Sequence, residues 1–243
     1  MHNKDFEVVI PARYNSTRLP GKPLIEVFGK TILERTVLQC NQVFEMNKII
    51  VLTDSNKILN FCKTKNIRCK IIDQNCNTGT DRISLYAKDK NLDFIINVQG
   101  DEPIIDPGDI EIIYKNAVKN NKLIYNGYKK IDDEKDFFNP SIPKVVFDNH
   151  NSLLYMSRAG IPSNKKLKFF KGYKQVCIYS YPAKSLDLFL KNPTKSELEK
   201  EEDIEILRFL EYGDKIKMVE LHGDSFSIDT KDDLEKLYKF LED

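Results

Sequence analysis

The 243-residue sequence has no apolar run approaching the about 18 residues that a membrane-crossing helix needs. It has almost no net charge, +1 at neutral pH, so no global field draws it to nucleic acid or to a membrane. An anionic ligand must therefore be held by local cations. The five cysteines, Cys40, Cys62, Cys69, Cys76 and Cys177, form no CxxC pair. An odd number in that pattern predicts reduced, mostly buried thiols of a cytoplasmic protein, not a disulfide framework. Three scattered histidines, His2, His150 and His222, lack the HxxxH or HxH spacing of a structural zinc site. The start, Met1-His2-Asn3-Lys4-Asp5, has no n-region, h-region or cleavage site, so no signal peptide is expected.

What is present is a composition that can bury a core, 41% hydrophobic and 31% charged, at a length that allows one large α/β domain or a domain with an inserted lobe. Strand and helix patterns alternate. Residues 6–10, 48–53, 70–72 and 93–98 read as strands, and 31–44, 56–65 and 81–90 as helices. The run 93–98 is apolar enough to be covered on both faces. This alternation predicts an α/β fold with a mostly parallel central sheet and ligands at the carboxyl ends of its strands. Further on, 144–147, 175–181 and 215–220 read as strands. Residues 163–174 read as an exposed loop, 199–212 as a helix, and 231–241 as a final helix capped by Asp229 or Thr230. The charge run 195–203 reads as a solvated loop and a first helical turn. There are no repeats.

Three segments carry chemistry. After the first strand comes Pro11-Ala12-Arg13-Tyr14-Asn15-Ser16-Thr17-Arg18-Leu19-Pro20-Gly21-Lys22-Pro23. Its three cations, mixed with short hydroxyls, proline and glycine, suit a loop that wraps a triphosphate. It is not a Walker A loop, and the alternative is an ordinary basic surface loop. Asp101, after the strand ending at Val98, sits where a metal–phosphate would be held. Asp229, in Ser227-Ile228-Asp229-Thr230, is either a helix N-cap or a second metal carboxylate. Together the two aspartates and the basic loop make a joint Mg²⁺ site for phosphoryl or nucleotidyl transfer. In Asn77-Thr78-Gly79-Thr80-Asp81-Arg82, a helix N-terminus capped by Thr80 or Asp81 and a base-recognition segment are equally good readings.

Over nearly its whole length the chain resembles the CMP-3-deoxy-D-manno-octulosonate synthetases. The likeness is carried in order by Pro11 to Pro23, Thr78-Gly79-Thr80-Asp81-Arg82, Asn97-Val98-Gln99-Gly100-Asp101-Glu102-Pro103, Tyr155-Met156-Ser157-Arg158-Ala159-Gly160-Ile161-Pro162, Leu207-Arg208-Phe209-Leu210-Glu211-Tyr212-Gly213 and Ile228-Asp229-Thr230. The resemblance implies a Rossmann-like nucleotide-diphospho-sugar transferase fold with helices on both faces and a small dimerisation lobe. Residues 1–125 would be the CTP-binding half of a single domain, and 126–243 the sugar-binding and dimerisation half. It implies transfer of CMP from CTP to a 3-deoxy-ulosonic acid, above all 3-deoxy-D-manno-octulosonate, with release of pyrophosphate, for lipopolysaccharide or capsule synthesis. Arg13, Ser16, Arg18 and Lys22 would bind the phosphates. Thr78, Thr80, Asp81 and Arg82 would lie at the nucleotide, and Asp101 and Asp229 would ligate Mg²⁺. Arg13, Lys22, Asp101 and Asp229 would carry catalysis. Gln99, Arg158, Gln175, Tyr179, Glu205 and Arg208 would line the sugar site. A homodimer is implied, with residues of about 140–181 at its interface, and neither nucleic acid nor membrane insertion is expected.

One position departs from the family. Where members carry a histidine in a His-Leu-Gly-Ile-Tyr stretch, this chain reads Gln175-Val176-Cys177-Ile178-Tyr179. Glutamine neither titrates nor carries charge, though it still hydrogen-bonds. An 8-amino octulosonate or a nonulosonic acid is therefore an alternative acceptor. A glycosyltransferase of the same architecture is the rival enzyme class, separated by its lack of pyrophosphate release from CTP. A non-catalytic nucleotide binder is the other rival, and it would have no need of paired metal carboxylates.

Overall fold

The structure is a computed structural model that describes residues 4–16, 18–74 and 76–242; Thr17 of the basic loop lies outside them. The elements in chain order are β1 (Phe6–Ala12), β2 (Glu26–Val27), β3 (Lys30–Thr31), α1 (Ile32–Asn41), β4 (Ile49–Thr53), α2 (Asn56–Thr64), β5 (Cys69–Ile71), α3 (Gly79–Ala87), β6 (Phe94–Val98), α4 (Pro107–Lys119) and β7 (Ile124–Ile131). Then follow α5 (Glu134–Phe138), β8 (Lys144–Phe147), β9 (Leu153–Ser157), β10 (Gly172–Pro182), α6 (Asp187–Lys191), α7 (Glu197–Glu202), α8 (Ile206–Glu211), β11 (Ile216–Glu220) and α9 (Lys231–Glu242).

The main sheet runs β11-β7-β10-β6-β1-β4-β5. All of its neighbouring pairs are parallel except the two made by β10, which is inserted antiparallel between β6 and β7. The hairpin β8–β9 branches from the outer half of β10. One face packs against Leu33 and Val37 of α1, Ile58 of α2, and Ile110 and Ile113 of α4. The other packs against Ile83 and Tyr86 of α3, Phe189 of α6, and Ile206, Leu207 and Phe209 of α8. Every residue of β6 is buried, as its unbroken apolar run requires.

The structure departs from the sequence pattern in three places. The span 199–212 is two helices, because Asp203 takes a left-handed conformation (φ 50°) that folds α8 back against α7. The charge run 195–203 is consequently not merely solvated: Glu199 is fully buried. Residues 172–174, expected in the exposed loop, begin β10. Strand β7 lies inside the sheet, between β11 and β10, although Asn126-Gly127 is a turn signal. Gly127 is there for a close approach, since a Cβ at that position would lie 2.2 Å from Leu221. Of the cysteines, Cys40 and Cys62 are buried and the other three are partly exposed, all as free thiols.

Candidate functional site

A small separate core gathers the site. Leu19 from the basic loop, Ile104, Ile228 and Leu237 of α9 pack together with Val27 and Ile32. These residues bracket the functional side chains: Leu19 lies between Arg18 and Lys22, Ile104 follows Asp101, and Ile228 precedes Asp229. The Ile228 N–H donates to Asp101 O at 2.9 Å, tying the two carboxylate-bearing segments together. The loop after β1 is closed by Gly21 N–H donating to Tyr14 O at 3.0 Å. Gly100 sits against β1, where a Cβ would come 2.8 Å from Pro11 O. Only glycine allows the Asp101 turn to lie that close to the start of the basic loop.

Lys22 is the hub. Its Nζ donates to Asp101 Oδ2 at 2.6 Å and to Asp229 Oδ1 at 3.0 Å, and Arg18 Nη2 reaches the same Asp229 oxygen at 3.1 Å. Burial works against the Lys22 charge, but the two carboxylates outweigh it and hold its pKa above the ordinary value. Asp229 is free to take part because Thr230, not Asp229, caps α9: its Oγ1 accepts from Asp233 N–H at 3.2 Å. Arg13 is exposed. Its charge acts across the cleft on Asp203, whose carboxyl is held low by its bond to Lys195, against burial, with Arg158 and Arg13 adding to the effect. Ser16 Oγ accepts from Leu19 N–H at 3.3 Å and shapes the loop.

Two aspartate carboxylates drawn to one cation are hard oxygen donors suited to Mg²⁺. Among the described residues no group of three or more His, Cys, Asp or Glu could hold a metal. A magnesium ion held by these two carboxylates would complete its shell with phosphate oxygens and water, the usual form of a nucleotide-bound magnesium. Beside them Glu102 is buried, and its Oε2 has no hydrogen-bond partner. Burial, reinforced by the Asp101 charge, pushes its carboxyl up to about 8, so a third negative charge is not added to the pair at neutral pH.

The segment at the start of α3 resolves toward the helix-cap reading. Thr78 and Asp81 form a capping box, Asp81 N–H donating to Thr78 Oγ1 at 3.1 Å and Thr78 N–H to Asp81 Oδ2 at 2.8 Å. Arg82 is buried, donating to Ile72 O and to Asp54 Oδ2. Glu205 places its carboxylate on the helix N-terminus, accepting from Gly79 N–H (3.1 Å), Thr80 N–H (2.8 Å) and Thr80 Oγ1 (2.6 Å). The expected nucleotide contacts Thr78, Thr80, Asp81 and Arg82 thus have side chains turned into the protein. Arg208 is corrected in the same way. It is fully buried, donates from Nη2 to Glu199 Oε1 (2.7 Å) and from Nη1 to Asp81 Oδ1 (2.8 Å), and lies over the Phe189 ring. Its side chain has no exposed surface.

Gln99 is half-buried at the carboxyl end of β6, its Oε1 beside the start of α3. Tyr179 lies on the same face of the sheet, buried and stacked on Tyr181, and burial raises its pKa well above the ordinary value. Arg158 spans the end of β9 and the α7–α8 turn, its guanidinium donating to the carbonyls of Glu202, Pro140 and Asp203. Gln175 donates to Asn126, a buried residue that the sequence analysis did not single out. Glu202 was missed as well. It accepts from Ser157 Oγ, Tyr155 Oη and Arg158 N–H, and nothing in a charge run marks one glutamate for that role.

Known proteins resemble this chain over nearly its whole length. The family model described as cytidylyltransferase matches residues 8–216. A 3-deoxy-manno-octulosonate cytidylyltransferase of Thermodesulfovibrio yellowstonii is 39% identical, over 96% of each chain. An 8-amino-3,8-dideoxy-manno-octulosonate cytidylyltransferase of Shewanella pealeana is 36% identical, over 93% of this chain and 94% of its own. A solved structure of a CMP:2-keto-3-deoxy-manno-octonic acid synthetase complexed with CTP superposes with a TM-score of 0.89 at 29% identity, over 98% of both chains. With its basic loop and two aspartates joined through Lys22, the chain belongs to the cytidylyltransferase family.

Proposed function

We propose that the protein transfers CMP from CTP to 3-deoxy-D-manno-octulosonate, releasing pyrophosphate. The observation that carries the reading is Lys22 held between Asp101, just after β6, and Asp229, in the segment that leads from β11 into α9. Arg13, Arg18 and Lys22 bind and orient the triphosphate, and they neutralise the pyrophosphate as it leaves. The anomeric C2 hydroxyl of the sugar attacks the α-phosphorus in line with that leaving group. Asp101 and Asp229 would hold Mg²⁺, which when bound supplies charge neutralisation at the phosphates and lowers the pKa of the attacking hydroxyl. With the carboxylates engaged by the ion, the Lys22 ammonium would be available to the phosphates. Gln99, Gln175, Tyr179 and Glu205 would meet the acceptor sugar, and Arg158, Arg208 and Asp81 hold the wall behind them.

We further propose that the CTP site draws mainly on residues 1–125 and the sugar site on residues 126–243, with Asp229 returning to the nucleotide. The exposed side chains of Leu154, Leu167 and Phe170 support a homodimer through the β8–β9 hairpin and the loop after it. The free thiols support a reducing, cytoplasmic compartment.

The test is incubation of CTP and Mg²⁺ with octulosonate, 8-amino-octulosonate and neuraminate-type acids, with pyrophosphate release as the readout. Octulosonate is expected to give the highest kcat/KM. Release that does not depend on any ulosonic acid would sink the assignment.

A further inference from the structure

Asn126 of β7 is fully buried. Its Nδ2 donates to Val176 O at 3.0 Å and to Ile178 O at 2.9 Å, where β10 shifts its register against β7 between Val176 and Tyr179. Main-chain carbonyls only accept, so both amide protons of Asn126 are committed and the group cannot be flipped. Its Oδ1 is left as the acceptor, and Gln175 Nε2 donates to it at 3.1 Å. One amide therefore orients the next. Gln175 turns its nitrogen inward, and its Oε1 has no partner among the described residues.

The placement of Gln175 gives that oxygen a use. Along β10, Tyr173, Cys177, Tyr179 and Tyr181 share one face of the sheet, and strand alternation puts Gln175 with them. Because β10 runs antiparallel to β6, its first half extends past the carboxyl end of β6, where Gln99 N–H donates to Cys177 O. We propose that Asn126 fixes the polarity of Gln175, so that this position presents an acceptor oxygen to the sugar and selects a hydroxyl or ammonium group there, rejecting a carboxylate. A histidine donating to the same Asn126 oxygen would turn an acceptor nitrogen outward when neutral and become a donor and a cation when protonated, a change that glutamine cannot make. The inference rests on the acceptor being an ulosonic acid.

The test compares Gln175→Lys and Gln175→Met with the wild type, reading KM separately for sugar and for CTP. Lysine keeps a donor for Asn126 Oδ1 but has no acceptor to face the sugar; methionine loses both. Gln175→Met should raise the sugar KM about threefold to tenfold, the worth of one hydrogen bond. Gln175→Lys should raise it at least as much, and CTP KM and the circular dichroism spectrum should be unchanged in both. A sugar KM that falls in Gln175→Lys would mean that the position meets the carboxylate, and it overturns the inference. An unchanged sugar KM in the methionine variant overturns it too, including where lysine disrupts β10. Wild-type protein inactive on every ulosonic acid would instead overturn the proposed function, and the inference with it.

Discussion

Asp101 and Glu102 are neighbours in sequence with opposite electrostatic duties. Asp101 is partly exposed and bonded to Lys22, whereas Glu102 is buried with one unpaired oxygen. Asp101→Asn keeps the shape and removes the charge. Turnover should fall about a hundredfold to a thousandfold, with the melting temperature little changed; near-normal kcat would remove Asp101 from the machinery. Glu102 gives a pH signature. Its folded pKa of about 8 stands above the ordinary 4.5, so the folded state holds a proton that the unfolded chain releases. That stability is fully present below the ordinary carboxyl range and is lost as pH rises through about 8. Glu102→Gln should therefore gain on the wild type in denaturant stability between about pH 5 and pH 8. A constant difference across that window would contradict the buried-acid account. Asp101 was legible because it follows an apolar strand; Asp229 was legible as a carboxylate before a helix, although the segment ahead of it is irregular and not a strand. Glu102 was not, since only the fold decides which of two adjacent acids is turned inward.

Helix α3 shows how an element is held by residues that look functional in a sequence. Its N-terminus receives Glu205 from α8, and Asp81 on its first turn meets Arg208, which also grips Glu199 of α7. Arg208 and Glu199 have side chains with no exposed surface. Arg208→Met should cost about 3–5 kcal/mol in chemical denaturation, because two acidic groups lose their countercharge in a dry site. A loss below about 1 kcal/mol, the range of a surface pair, would show that the triad is solvated. The helix start was readable, but the cap is Thr78, with Asp81 at the third position, and not the Thr80 or Asp81 that the sequence favoured. The break between α7 and α8 was not readable, because the left-handed residue is an aspartate, and a motif alone does not distinguish a buried arginine from one that binds a ligand.

At the scale of the whole molecule, the alternation of strand and helix patterns forecast the parallel half of the sheet from β1 to β6 closely. The antiparallel insertion of β10 and the placement of β7 inside the sheet escaped it, since Gly127 is set by contact with Leu221, a constraint from distant sequence. The hairpin β8–β9 and the loop after it expose Leu154 (60%) and Phe170 (89%). Light scattering should report a dimer for the wild type and a shift toward monomer for a Leu154→Lys, Phe170→Lys double variant. An unchanged dimer would locate the interface elsewhere.

The central claim is nucleotidyl transfer, and ³¹P NMR of CTP, octulosonate and Mg²⁺ with the protein tests it by product. The three triphosphate resonances should give way to one phosphodiester, from the CMP-sugar, and one pyrophosphate. Formation of CDP with a phosphorylated sugar, or CTP left intact, would contradict it.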